Sequence, residues 1–309
     1  MGISQYLKEI GRGKQGARSL DRAQAADLFG QLLDGAVTDL EVGAFCLAMR
    51  IKGETPEEMA GFLDATRARL DLLPRSGGPV VVLPSYNGAR RLPVLTPLLA
   101  LLLAQRGLRV LVHGTATESS RVFVTEVLAE VGLPVLDTLR PLHRGEAAFA
   151  PTELLHPGLK RLLDVRRVVG LRNSSHSLVK LMDPCAGPSV LVGSYTHPEY
   201  AQSMGAVFEL MGATALLLRG TEGEAVADAR RMPQMEGFVA GRRLVLQEHQ
   251  RGTLTDLPGW PSGTDAAATA AYIRDVLAER QPLPASIALQ VEHILRLASH
   301  HEQGDERHG

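Results

Sequence analysis

Apolar positions along this chain follow two successive periods. Over the first 74 residues they recur at helical spacing: Val42, Phe45, Cys46 and Met49 share one face, which predicts a helix with that face buried. Three start signals punctuate the region, Asp21 with Gln24, Thr38 with Glu41 and Thr55 with Glu58. Each places a short polar side chain three residues ahead of Glu or Gln, so that helix-end N–H groups are satisfied reciprocally, and Pro56 suits the first helical position of the third. Beyond "LLPRSGGP" the pattern changes to short aliphatic runs, "PVVVLP", "RVLVHG", "SVLVGSY" and "ALLLRG", each closed by Gly, Pro or polar residues. Between them the pattern predicts helices from about Val94, Ser119 and His197. Nearly continuous apolar strands alternating with helices imply a mostly parallel sheet covered on both faces. The expected organisation is a small all-α domain over residues 1–74 and a larger α/β domain over 75–309.

Ligands of such sheets gather at the carboxyl ends of the strands. Here those ends are "PSYNGARR", "HGTATESSR", "SYTHPE" and "RGTEGE". The first follows a strand and precedes an apolar helix, the arrangement in which backbone N–H groups and a helix start seat a phosphate. It holds a single glycine, Gly88, beside Tyr86, Asn87, Arg90 and Arg91. Tyr86 could stack on a nucleobase and Asn87 could hydrogen-bond one. Glu222 and Glu224 in the last loop are candidates for holding magnesium.

Composition narrows the chemistry. The 309 residues are 45% hydrophobic and 22% charged, enough for a large core, and the longest apolar stretch, Val94 to Ala104, is too short to cross a bilayer. The opening residues carry no signal or myristoylation pattern, so a cytoplasmic protein is expected. Cys46 and Cys185 sit in unrelated contexts, which fits inert buried thiols better than a disulfide or a metal site. No cofactor is expected.

The net charge of −1 hides an asymmetry: Ser85 to Lys180 carries 13 Lys plus Arg against 7 Asp plus Glu, whereas Leu181 onward carries 10 against 16. An anionic partner is the expectation. In "GRGKQGAR" the residues Arg12, Lys14 and Arg18 lie on a glycine-punctuated segment suited to phosphate contacts, although it is not a P-loop. "HPGLKRLLDVRR" predicts a helix entered near Pro157, with Lys160 and Arg167 on one face, Asp164 close by and Arg161 about 100° round from Lys160. "NSSHS" gives no nucleophile pair, because adjacent residues seldom face one another; Ser174 and His176 are expected to line a cleft. His113, at a strand end, is expected to be structural.

Several of these segments, "LLDGAVTDLEVGAFCLAMRIKGETPEEMAGF", "VHGTATESSRVFVTEVLAEVGLPVL" and "HPGLKRLLDVRRVVGLR", together resemble the anthranilate phosphoribosyltransferase superfamily. The resemblance implies a nucleoside phosphorylase/phosphoribosyltransferase-like fold, a helical domain completed by residues of about 157–180, and homodimers formed through the helical domains. The family's diphosphate loop, G-T-G-G-D, falls on Pro84, Ser85, Tyr86, Asn87 and Gly88, where the glycine freedom and the aspartate are lost. Its K-H-G-N-R falls on Val112, His113, Gly114, Thr115 and Ala116, without either cation. Thr96 and Arg172, the latter matching the family's aromatic-acid-binding arginine, survive. The chain thus looks like a transferase scaffold whose sugar-diphosphate site is dismantled, and "EIGRGK", "PSYNGAR", "RNSSHSL" and "RGTEGE" resemble the YbiB-like branch, whose members look like nucleic-acid-binding proteins rather than transferases. That resemblance implies DNA or RNA as partner, contacted by the residues above together with Arg121, Arg166 and Lys180. The competing expectation is a phosphoribosyltransferase with an altered donor site.

Overall fold

A computed structural model describes residues 2–118 and 120–305 of the chain. The first elements are helices: α1 (Ser4–Ile10), the single turn α2 (Gly13–Gly16), α3 (Arg22–Leu33), α4 (Asp39–Lys52) and α5 (Pro56–Arg67). All three expected capping boxes are present, with Asp21, Thr38 and Thr55 each accepting the N–H of the residue three positions on. The chain then builds β1 (Val80–Ser85), α6 (Thr96–Gln105), β2 (Arg109–Gly114), α7 (Val124–Val131) and β3 (Ala147–Pro151). It returns to helices for α8 (Thr152–Leu155), α9 (Pro157–Val169) and α10 (Ser175–Leu178). The remainder comprises β4 (Ser189–Tyr195), α11 (Pro198–Leu210), β5 (Ala215–Arg219), the hairpin strands β6 (Met235–Val239) and β7 (Arg242–Gln247), α12 (Ala266–Leu277) and α13 (Ala285–Asp305).

Two compact units result, one of residues Met1–Asp71 with Thr152–Pro184, the other of Leu72–Pro151 with Cys185–Gly309. The division falls three residues before the expected 74/75 boundary, because Leu73 pairs with Cys185 at the foot of the sheet. In the helical unit Phe29, Phe45 and Phe62 meet in one aromatic core drawn from α3, α4 and α5. The α/β unit is a seven-stranded sheet of order β3-β2-β1-β4-β5-β6-β7. Its first five strands run parallel, with Val82 of β1 level with Leu111 of β2 and Leu191 of β4, and β6 and β7 are antiparallel additions.

Alternate strand residues Val81, Leu83, Val110, Val112, Val190, Val192, Leu216 and Leu218 join the core formed with α6, α7, α12 and α13. On the other face Phe208 of α11 lies under Gly193 and beside Phe238. The strand order reverses direction between β1 and β4, the switch point at which loops diverge and leave a crevice at the carboxyl ends. The structure adds two features that the sequence reading did not name and corrects one that it did. β3 is alanine-rich and the β6–β7 hairpin is charge-bearing, so neither stands out as an aliphatic run. Helix α7 starts at Val124 rather than Ser119, since Ala89 and Val122 first form an antiparallel bridge; Ser119 itself lies outside the described residues.

Candidate functional site: a donor-rich loop filled by two carboxylates

Strand β1 ends at Ser85, directly at the switch point, and the chain turns through Tyr86, Asn87 and Gly88 toward α6. Gly88 has φ +68°, and a Cβ there would stand 2.7 Å from the carbonyl oxygen of Val122, so both its conformation and its packing require glycine. This turn aims successive backbone N–H groups at one spot, a concavity suited to an anion. The spot is occupied by Glu224. Its Oε1 accepts from the backbone N–H of Asn87 at 2.9 Å and of Gly88 at 2.8 Å. Its Oε2 accepts from the Ser85 hydroxyl and from the Thr96 hydroxyl, the latter at 3.0 Å. Ser85, Asn87, Thr96 and Glu224 are all buried.

A second carboxylate fills the outer part of the same loop. Glu222 accepts from the backbone N–H of Arg90 at 2.7 Å and of Arg91 at 3.1 Å, with Leu92 at the 3.5 Å limit. Both acidic residues lie on the tight return after β5, where Thr221 N–H donates to Val226 and Gly220 pairs with Ala227. Only glycine fits at 220, because a Cβ would stand 1.9 Å from the Glu224 carbonyl oxygen. The Ser194 hydroxyl of β4 holds the Gly223 carbonyl at 2.9 Å, and the Asn87 side-chain amide holds that of Glu222 at 2.8 Å. The candidacy of Glu222 and Glu224 as magnesium ligands gains no support from this geometry, because their oxygens accept from the chain's own donors. The expected dismantling of the loop is corrected, since its donors persist and an internal anion covers them. A magnesium–diphosphate pair does not fit this arrangement, with the cradle filled and no Lys or Arg at residues 112–116.

Tyr86 and Asn87 are 2% and 4% exposed, so neither is placed to stack on a base or to read one. The Tyr86 hydroxyl pairs with His113 Nδ1 at 2.8 Å, and burial pushes His113 down to about 3. Arg90 and Arg91 are exposed at the rim of the loop, and Arg121 reaches the Asn87 carbonyl at 3.2 Å beside Glu118.

The remaining expected contacts lie in the helical unit. Along α9, Lys160 and Arg167 both pair with Asp164, which combines the shared basic face with the simple surface pairing. Arg167 stays 62% exposed. Arg166, Arg172 and Lys180 are half-buried. Arg161 donates to the Leu32 carbonyl at 3.0 Å, which gives its charge a structural use at the carboxyl end of α3. Arg12 folds back onto Glu9 at 2.7 Å, Arg18 is exposed, and the Lys14 side chain lies outside the described residues. His176 is a correction: it is buried, its Nδ1 accepts from the Asn173 N–H at 3.3 Å, and it cannot meet a phosphate as placed. Ser174 is buried as well and donates to Glu54. Burial, followed by the charge of Arg172, pushes His176 down to about 3. Both cysteines are buried, with the Cys46 thiol raised to about 11 by burial. Among the described residues no group of three or more His, Cys, Asp or Glu could hold a metal ion, and no helix is long and apolar enough to cross a membrane.

Two of the buried histidines, His113 and His176, set a pH dependence. In the unfolded chain each ring takes up its proton near 6.5, but in the fold only near 3. Between those values the unfolded chain binds more protons, so stability rises with pH. This contribution is complete above pH 6.5 and is lost as pH falls toward 3, at about 1.4 kcal/mol per pH unit for each ring. Urea unfolding between pH 7 and pH 4 should show this slope (roughly the window given by the ordinary His value), and His113→Gln should flatten it. An unchanged slope in a folded variant would contradict the assignment.

Comparison with known proteins places these features in a family. Residues 4–70 match the helical bundle domain of the glycosyl transferase family. The chain is 39% identical over 298 residues to the uncharacterized protein YbiB of Escherichia coli (strain K12), covering 94% of this chain and 92% of that one. It is 30% identical over 278 residues to an anthranilate phosphoribosyltransferase of Anaeromyxobacter sp. (strain Fw109-5), covering 87% and 82%. The crystal structure of anthranilate phosphoribosyltransferase from Thermus thermophilus superposes with a TM-score of 0.73 at 20% identity, over 97% of this chain and 88% of that one. The Saccharomyces cerevisiae enzyme in complex with PRPP and Mg gives 0.67 at 14% identity, over 97% and 89%. At these identities the two structures show a common fold.

Proposed function

We propose a function for a chain that belongs to the YbiB-like branch of the anthranilate phosphoribosyltransferase superfamily: sequence-independent binding of nucleic acid by a transferase-like scaffold whose donor loop is closed. The observation that carries it is the filled loop. With seven hydrogen-bond donors directed at Glu222 and Glu224, the cradle offers nothing to a sugar diphosphate. Cationic side chains outside it, Arg167 on α9 and Arg90 and Arg91 at the loop rim, remain exposed to an anionic partner. Few aromatic residues are available, and Tyr86 is buried, so phosphate contacts would dominate over base stacking.

The second reading is a phosphoribosyltransferase with an altered donor site. The 30% identity to a named transferase over most of both chains favours it, and the relatives' names offer no support for nucleic-acid binding. In that reading the return after β5 would have to withdraw from the loop before a donor could enter.

The test is Lys160→Glu with Arg167→Glu, followed by fluorescence anisotropy over a salt series. Binding of DNA and RNA should weaken uniformly across sequences, and the slope of log affinity against log salt should fall by about one unit per lost phosphate contact. Unchanged affinity and slope in a folded double variant would remove α9 from the binding surface. A homodimer through the helical units belongs to the same proposal. Leu40, Leu47 and Ile51 form an exposed apolar stripe at i, i+7 and i+11 on α4. Light scattering should give twice the 33.2 kDa chain mass, and monomer alone would refute this part.

A further inference from the structure

We propose that the foot of the sheet, at the amino ends of β1, β2 and β3, is a second contact surface for the sugar–phosphate backbone of nucleic acid, built from Arg75, Arg109 and Arg144. The proposal rests on the polyanion reading above and extends it to the end of the strands opposite the filled loop. Four of the thirteen cations between Ser85 and Lys180, namely Arg106, Arg109, Arg140 and Arg144, fall where the chain enters β2 and β3, so part of the basic surplus gathers here. Arg75 joins them from the segment ahead of β1. Val80 of β1 stands level with Arg109 of β2, and Val110 of β2 with Ala147 of β3. At a strand spacing of about 4.8 Å the three starts span roughly 10 Å, about the screening length at 0.1 M salt. Cations at these starts therefore act together on one ligand.

Two of the five arginines are neutralised within the chain: Arg106 pairs with Glu292 at 3.1 Å and Arg140 with Glu146 at 2.6 Å. Among the described residues no carboxylate pairs with Arg75, Arg109 or Arg144. Backbone holds these three instead. Arg109 Nε donates to the Leu142 carbonyl at 3.2 Å, and the Leu142 N–H donates to the Ser76 hydroxyl at 3.0 Å, which ties the segment carrying Arg75 to the one carrying Arg144. The side chains lie against glycine: a Cβ at Gly78 would stand 2.7 Å from Arg109 Nη1, one at Gly107 3.1 Å from Arg144 Nε, and one at Gly187 3.3 Å from Arg75 Cγ. Positioned in this way, the guanidinium groups keep most of their donors and their full charge, and Arg75 and Arg144 are exposed. Cations gathered without counter-charge repel one another, and an anionic backbone relieves that repulsion.

The experiment is fluorescence anisotropy of a labelled oligonucleotide over a salt series, with melting temperatures measured on the same samples. The wild-type chain is compared with Arg75→Gln/Arg144→Gln and with Arg242→Gln/Arg251→Gln, which removes the same charge from exposed positions on β7 and the loop after it. The first variant should bind at least about tenfold more weakly and lose about two units of slope of log affinity against log salt; the second should keep the wild-type slope. An unchanged slope in the folded first variant, or an equal fall in the second, would overturn the proposal. So would a lowered melting temperature with unchanged affinity, the result expected if Arg144 serves only the carboxyl end of α6. If Arg144→Gln prevents folding, Arg75→Gln alone carries the test with a loss of about one unit. A wild-type chain that binds no oligonucleotide would overturn this proposal together with the polyanion reading, whereas a loss confined to Lys160→Glu/Arg167→Glu would overturn this proposal alone.

Discussion

Glu58→Ala is expected to destabilise the helical unit by about 3–5 kcal/mol, the largest loss anticipated for a single charged residue in this chain. Glu58 is fully buried and ties together three helix ends. Its Oε1 accepts the N–H of Leu20 ahead of α3 at 2.9 Å; its Oε2 accepts the N–H of Thr55 at the start of α5 at 2.9 Å and the ammonium of Lys52 at the end of α4. Alanine leaves a nearly buried Lys52 without its counter-charge and two amides without acceptors. For a unit of about one hundred residues, such a loss corresponds to a fall in melting temperature on the order of 15 °C. Lys52→Met should cost clearly less, because the carboxylate keeps its backbone donors. Denaturant titration of the three proteins decides the matter, and equal losses for both variants would contradict the role given to the backbone bonds.

Phe62→Ala should cost a similar amount for a different reason. The Phe62 ring stacks on Phe29 with centroids 4.7 Å apart and meets Phe45 edge-on at 6.0 Å, so one residue of α5 joins α3 and α4. Truncating a fully buried phenylalanine removes its transfer free energy and leaves a cavity, about 3–5 kcal/mol together. Ring geometry adds roughly 0.5–1.5 kcal/mol per aromatic pair. Phe62→Leu should therefore recover much, but not all, of the loss. Hydrogen exchange on the amides of α3 and α5 would localise the effect, and unaltered protection in Phe62→Ala would contradict the central place given to this ring.

Both predictions depend on features that were legible in the sequence. Thr55 with Glu58 reads as a helix start, and Phe45 falls on the face that periodicity buries. What periodicity cannot show is that the same Glu58 carboxylate also holds Leu20, 38 residues away. The strands Val80–Ser85 and Ser189–Tyr195 are unmistakable as aliphatic runs, whereas Ala147–Pro151 and Arg242–Gln247 carry too little aliphatic bulk or too much charge to stand out. The donor loop was harder still. Side chains at Pro84 and Tyr86 suggest that a phosphate seat is gone, but the seat is made largely of backbone N–H groups, which leave no mark in a sequence. Its occupant arrives from 137 residues downstream. The one available signal was the pair of glutamates flanking Gly223 at a strand end, which reads as a cation site when taken alone. Tyr86, Asn87 and His176 mislead for a related reason, since polar residues in a loop-like segment look exposed until the fold buries them.

The central claim, that a transferase-like scaffold has closed its donor loop and presents its Lys/Arg surface to polyanions, is tested most directly by calorimetric titration of the wild-type chain. One sample is titrated with phosphoribosyl diphosphate plus magnesium and with an oligonucleotide at low and moderate salt. The account predicts no saturable heat from phosphoribosyl diphosphate and oligonucleotide binding that weakens steeply as salt rises. Saturable micromolar binding of phosphoribosyl diphosphate, with no salt-dependent binding of the oligonucleotide, would contradict it and restore the transferase reading.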